Sequence, residues 1–252
     1  MKKGVLAIYM LGLVFSAHAS AKMVNYKIGD KEFEGYLAGN GKKGSILIVH
    51  NWLGLTKETM SKADQLSALG YTVFAADVYG KGIRPKNAEE AKAETAPYYA
   101  NRELLRERIA GALTELRKLS KGPKEKYAAI GYCFGGTSVV ELARSGADIK
   151  AIVSFHGGLD SPKPEDGKNI KAKVLALHGA DDPFVTAENL SKFEAEMRDH
   201  KVDWQLIKYG GAVHSFTDKN AGTDPSKGAA YNAEADTRSW AAMRAFLENA
   251  FR

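Results

Sequence analysis

The residues with chemistry to offer are few. Cys133 is the only cysteine in the 252-residue chain, and it stands among glycines in Gly131-Tyr-Cys-Phe-Gly-Gly136. The apolar run Tyr127 to Ile130 precedes it and an apolar, helix-like segment follows, so the stretch reads as strand, sharp turn and helix. At the apex of such a turn a side chain is pushed out at the sheet edge, and only small neighbours let strand and helix pass closely. Cys133 is therefore presented as a nucleophile rather than packed as an inert thiol, and the lack of a second cysteine leaves no intrachain disulfide.

A thiol is a modest nucleophile at neutral pH until a base takes its proton, and an imidazole base needs an acid to orient it. Six histidines compete for that role. His18 falls in the N-terminal segment and His200 in a charged helix end. His50, His156 and His178 each follow a buried strand, where a structural histidine bonded to loop backbone is the ordinary expectation. His214 follows the last strand, in a loop that can reach back over Cys133 and leave room for an acid beneath. Asp182 at a strand end supplies that acid, and the order Cys133, Asp182, His214 matches the nucleophile, acid, base order of α/β-hydrolases. Asp181 and Asp182 are adjacent and face different ways, so only one of them can orient the histidine, and the other is expected to serve a turn or cap. The oxyanion of a tetrahedral intermediate needs fixed donors. Phe134 offers its N–H at a helix start, and the loop after Val49 offers that of Trp52, with Asn51 as the alternative. No two histidines have helix-ligand spacing and there is one thiol, so neither a metal nor another cofactor is expected.

These residues must be carried by a sheet. Tyr26-Lys-Ile28 and Phe33 to Leu37 alternate apolar and polar residues around Gly29-Asp30, as a β-hairpin does. Ser45–Val49, Tyr71–Val78, Ala151–Phe155, Lys173–Leu177 and Trp204–Tyr209 read as further strands. Helices are expected from Lys57 to Leu69 behind a Thr56 cap, from Leu104 to about Ser120, from about Gly135 to Arg144, from Ala187 to Arg198, and at the C-terminus around Trp240 and Leu247. Lys81 to Ala100 reads as an excursion over the strand ends with one short helix, Ala88 to Glu94. Asp160 to Lys171 reads as loop because Pro162 and Pro164 oppose regular structure. The alternation implies an α/β fold with a mostly parallel central sheet and helices on both faces, whose site lies at the carboxyl ends of the strands. Asn51 and Arg84 are candidates for touching substrate there. For Arg84, as for Lys81 and Lys86 near it, the alternative is an ordinary solvated charge.

The net charge of +6 comes from 36 basic and 30 acidic residues without a long basic block. This describes a solvated surface rather than a nucleic-acid footprint. Met-Lys-Lys, the apolar run Gly4 to Phe15, and Ala19-Ser20-Ala21 have the parts of a secretory signal, too short to span a bilayer. The expectation is cleavage after Ala21, a mature domain of residues 22–252 in the periplasm or secreted, and no stable membrane insertion. An unpaired thiol in an oxidising compartment is either shielded or chemically used.

Gly131-Tyr-Cys-Phe-Gly-Gly136, Gly179-Ala-Asp-Asp-Pro-Phe-Val185 and Ala212-Val-His-Ser-Phe216, in this order, resemble the motifs of the dienelactone hydrolase family. The resemblance covers most of the chain from Ser45 onward. It implies an α/β-hydrolase fold, a Cys133, Asp182, His214 triad and a small ester, lactone or thioester substrate. Two positions depart from the family pattern. Where many members carry a glutamate that contacts the resting cysteine, this chain has Asn51. Where the dienelactone-cleaving members place an arginine for a substrate carboxylate, Asp218 stands nearby. The rival to a hydrolase is a hydrolase-like binding or scaffold module with a vestigial site.

Overall fold

The computed structural model describes residues 21–252. All of the expected signal segment except Ala21, and with it His18, lies outside the described residues. Eight strands form one sheet: β1 Lys22–Ile28, β2 Lys31–Ala38, β3 Ser45–Val49, β4 Thr72–Ala76, β5 Tyr127–Tyr132, β6 Ala151–Phe155, β7 Lys173–Gly179 and β8 Trp204–Tyr209. Their order across the sheet is β1-β2-β4-β3-β5-β6-β7-β8. The hairpin β1-β2 and the pair β2-β4 are antiparallel, and every other pair is parallel.

The helices are α1 Lys57–Ala68, α2 Ala88–Ala100, α3 Arg102–Leu119, α4 Phe134–Arg144, α5 Ala187–Asp199 and α6 Ala233–Ala250. Side chains alternate faces along a strand. In β3, Leu47 and Val49 join the core that contains Leu105, Ile109 and Val139 of α3 and α4. Ile46 and Ile48 join the other core, with Leu66 of α1 and Met243 and Leu247 of α6. Both faces of β3 are thus covered, which is why it is apolar from Ile46 to Val49. Among the described residues no helix is long and apolar enough to cross a membrane.

Two expectations about the elements need correction. The short helix expected at Ala88–Glu94 continues through Pro97 to Ala100. The proline removes one helical donor, but burial of Thr95 and Tyr98 holds the last turn, and the Tyr98 hydroxyl donates to the Val78 carbonyl at 2.9 Å. The loop expected over Asp160–Lys171 contains a 3₁₀ turn, Pro164–Asn169, with Pro164 at its first position, where a missing N–H costs nothing.

Candidate active site

The turn between β5 and α4 holds Cys133 at φ 55°, ψ −116°, a conformation that a non-glycine residue keeps only when its surroundings enforce it. The enforcement is close backbone packing. A Cβ on Gly131 would lie 1.9 Å from the Gly135 carbonyl oxygen, and one on Gly135 would lie 2.2 Å from that of Val49. The Cys133 N–H donates to the Phe155 carbonyl at 3.0 Å and to His156 Nδ1 at 3.2 Å. The backbone is tied down on both sides while Sγ faces a cavity.

His214 meets the thiol from the loop after β8, its Nε2 at 3.1 Å from Cys133 Sγ. Its Nδ1 lies 2.8 Å from Asp182 Oδ2. A carboxylate only accepts, so Nδ1 carries a proton and Nε2 is the nitrogen that exchanges one with sulfur. Asp182 is buried, and its other oxygen accepts the Phe184 N–H at 2.9 Å. Asp181 turns outward and accepts the Gly211 N–H at 2.9 Å. The His214 backbone is pinned between the Gly228 carbonyl and the Ala230 N–H. Burial opposes a charged imidazolium at His214, but the charge of Cys133 and the hydrogen bonds to Asp182 and Cys133 outweigh it. The group is pushed up to about 10.

The remaining histidines are accounted for by their partners. His156 accepts from Cys133 N–H at Nδ1, so its Nε2–H donates to Thr217 Oγ1 at 2.9 Å. Burial, followed by the neighbouring His214, drives it well below the ordinary histidine range and keeps it neutral. His50 Nε2 accepts the Val78 N–H at 3.1 Å, which leaves Nδ1–H to donate to the Asn51 carbonyl at 2.6 Å. Burial, opposed by Asp77, lowers His50 to about 4. His178 is buried and lowered mainly by that burial. His200 caps the end of α5.

The Asn51–Trp52 peptide is held firmly. Its carbonyl accepts from His50 Nδ1 and from the Gly54 N–H at 3.2 Å, and the Asn51 side chain accepts the Leu53 N–H at 2.9 Å. Tyr79 donates its hydroxyl to the next carbonyl, that of Trp52, at 2.8 Å. The Trp52 N–H shares the peptide plane that His50 and Gly54 fix, and has no acceptor among the described residues. The Phe134 N–H, at the first residue of α4, has no intrahelical acceptor.

A cavity of about 580 Å³ opens beside Cys133 and His214, with Trp52, Tyr99, Phe184 and Lys227 among its walls. Asn51 and Arg84 do not line it. Asn51 is a turn former, and the Arg84 guanidinium is committed to the Leu55 and Ile83 carbonyls and faces Asp77 at 3.6 Å. Among the described residues no group of three or more His, Cys, Asp or Glu side chains is arranged to hold a metal ion.

His50 is the structural histidine bonded to loop backbone that its strand-end position suggested, with Asn51 and Val78 as its partners. Sequence reasoning missed one support of this site. Arg144 looked like an ordinary helix end. It is fully buried and donates to Glu141 at 2.8 Å, to Glu196 at 2.9 and 2.7 Å, and to the carbonyls of Leu159 and Asp160. It thereby ties α4 to α5 and to the loop after β6, which contributes Gly158 and Asp160 to the cavity wall.

The model of the dienelactone hydrolase family matches residues 33–251. An uncharacterized protein of Caenorhabditis elegans is 37% identical over 153 residues, 58% of this chain and 94% of its own length. The carboxymethylenebutenolidase homolog of Homo sapiens is 24% identical over 170 residues, 61% of this chain and 62% of its own. A dienelactone hydrolase-like promiscuous phosphotriesterase from metagenomic libraries superimposes with a TM-score of 0.85 at 36% identity. That superposition covers 91% of this chain and 98% of the other.

Proposed function

We propose, for a chain that belongs to the dienelactone hydrolase family and is thus an ester or lactone hydrolase, that Cys133, His214 and Asp182 form its catalytic triad. The observation that carries the reading is His214 bridging Cys133 Sγ at 3.1 Å and Asp182 Oδ2 at 2.8 Å.

In this reading the proton of Sγ is held by His214 Nε2 while Sγ attacks the substrate carbonyl carbon, whose π electrons move to oxygen. The N–H groups of Phe134 and Trp52 stabilise the oxyanion. Collapse of the intermediate breaks the bond to the leaving oxygen, which takes the proton from Nε2, and leaves a thioester on Cys133. His214 then accepts a proton from water as the water attacks the thioester. The carboxylic acid departs and the thiol is restored. Asp182 holds Nδ1–H throughout and stabilises the imidazolium.

The test is hydrolysis of a short aryl ester by the purified protein. Cys133→Ala and His214→Ala are expected to lose at least about 10³-fold in kcat/KM, and full rates in either would refute the triad. The rival, a binding module with a vestigial site, predicts that iodoacetamide labels Cys133 no faster than an ordinary exposed thiol. A phosphate triester is a second substrate class, favoured by the metagenomic relative. Turnover of a nitrophenyl dialkyl phosphate that is lost in Cys133→Ala would place that reaction on the same thiol. Export of a single mature domain, residues 22–252, to the periplasm belongs to the same proposal. N-terminal sequencing of the chain from a periplasmic fraction should begin at Lys22, and a chain retaining Met1 would refute it.

A further inference from the structure

The walls of the cavity beside Cys133 are unusual for this protein. Among the described residues four large hydrophobic side chains are exposed, Met23, Trp52, Tyr99 and Phe184. Three of them line this one cavity, at 37, 42 and 63% exposure. Exposed aromatics scattered singly need no explanation, but a cluster around a pocket marks a binding surface for apolar groups.

The charges of the lining are sparse and largely answered. Asp160 pairs with Arg102 at 2.8 Å, and that guanidinium lies 5.0 Å from the Tyr99 ring centroid, so the pair braces an aromatic wall. Lys227 is exposed and carries the other full charge of the lining besides His214. Among the described residues no arginine lines the cavity, and Arg84 is held away from it by two carbonyls. A substrate carboxylate would meet Asp160 and one solvent-screened ammonium rather than a bidentate guanidinium fork.

The aromatics also differ in position. Phe184 stands edge-on to His214, with ring centroids 5.3 Å apart at 89°. His214 is the group that hands a proton to the departing oxygen, so Phe184 flanks the leaving-group side. Tyr99 packs against the ring of Phe134, the residue after the nucleophile, at 5.8 Å. Trp52 follows the fixed Asn51 peptide.

We infer that the site selects neutral esters whose alcohol part carries an aromatic or similarly flat apolar group, seated against Phe184, rather than carboxylate-bearing lactones. This rests on the proposed triad as the place where the ester is cleaved.

The test uses three acetates with the same acyl group and leaving alcohols of similar acidity: 2-phenylethyl acetate, ethyl acetate, and the acetate of 3-hydroxypropanoate. Burial of one ring should favour the phenylethyl ester over ethyl acetate by roughly 30- to 100-fold in kcat/KM, with the anionic ester slowest. Phe184→Ala keeps the backbone N–H that Asp182 accepts. It should cut the phenylethyl ester about tenfold and ethyl acetate by a clearly smaller factor. A preference for the anionic acetate that Lys227→Gln removes would overturn the inference. An aromatic preference untouched by both Phe184→Ala and Trp52→Ala would also overturn it. A binding measurement separates this outcome from failure of the triad. The unreactive ketones 4-phenylbutan-2-one and 4-oxopentanoate compete with iodoacetamide for access to Cys133, whether or not an ester turns over. Stronger protection by the phenyl ketone supports the inference even if Cys133→Ala shows that the thiol is not the nucleophile. Stronger protection by the anionic ketone refutes it even if the triad stands.

Discussion

Replacing Asp182 by asparagine tests the proposed triad at its least exposed member. The carboxylate holds two donors, His214 Nδ1 at 2.8 Å and the Phe184 N–H at 2.9 Å, so an amide of the same shape must choose. If its oxygen keeps the Phe184 N–H, its NH₂ faces His214 and forces Nδ1 to accept. The proton then sits on Nε2, where no base remains for the thiol. If the amide turns over, two donors meet at Phe184 in a buried site, a mismatch of about 1–3 kcal/mol. In either arrangement the imidazolium loses its ionised acceptor, and with it about 1.5–3 kcal/mol. The sum, about 2.5–6 kcal/mol, corresponds to a loss of roughly 10²- to 10⁴-fold in kcat/KM. The same loss removes two of the influences that push His214 up to about 10. The ester rate and the iodoacetamide rate of Cys133 should therefore both fall at pH 7, measured on protein shown folded by urea titration. Asp181→Asn, at an exposed turn, serves as the control. A loss smaller than tenfold for Asp182→Asn, or an equal loss for Asp181→Asn, would refute the assignment.

Three further outcomes follow from the surroundings of the site. His50 is neutral in the folded chain and lowered to about 4, so between pH 6.5 and 4 the unfolded chain binds a proton that the folded one refuses. Stability should fall on acidification through that window by about 3 kcal/mol from this group. His50→Gln, which keeps an acceptor for the Val78 N–H, should flatten the decline in urea unfolding from pH 7 to pH 4.5, and an unchanged slope would contradict it. Arg144→Met strands the buried carboxylate of Glu196, leaves Glu141 to Arg106 alone, and should destabilise by about 3–5 kcal/mol. Adding Glu196→Leu should recover part of the loss, whereas simple additivity of the two would argue against a shared network. Asn51→Ala removes the bond that orders the Leu53 turn, so kcat for ester hydrolysis should fall several-fold while Cys133 alkylation is unchanged. A changed alkylation rate would mean that Asn51 acts on the resting thiol instead.

The periodicity of the strands was legible because burial on both faces leaves no choice of residue. The run 46–49 is apolar throughout for that reason, and the helical stripes of α3 and α6 are equally plain. The extension of α2 across Pro97 was hidden because the contacts that hold it, Tyr98 to Val78 among them, join residues twenty apart. At the site, chain order pointed to Cys133, Asp182 and His214. The choice between two adjacent aspartates was less legible, because it depends on which side chain turns inward, and here Asp182 turns under His214 while Asp181 ties Gly211. The supporting residues were least legible. The tautomer of His50 follows only from an N–H 28 residues away, and the role of Arg144 from carboxylates on both its own helix and α5. Asn51 shows the same principle from the other side. By residue type it looked like a missing acid, yet its side chain builds a turn and its carbonyl anchors the peptide that carries the Trp52 N–H. With His214 Nε2 already 3.1 Å from sulfur, the proton on the thiol has an acceptor without a carboxylate at position 51. The loop is then free to be rigid rather than charged, which suits the proposed role of the Trp52 N–H as a donor in place before the oxyanion forms.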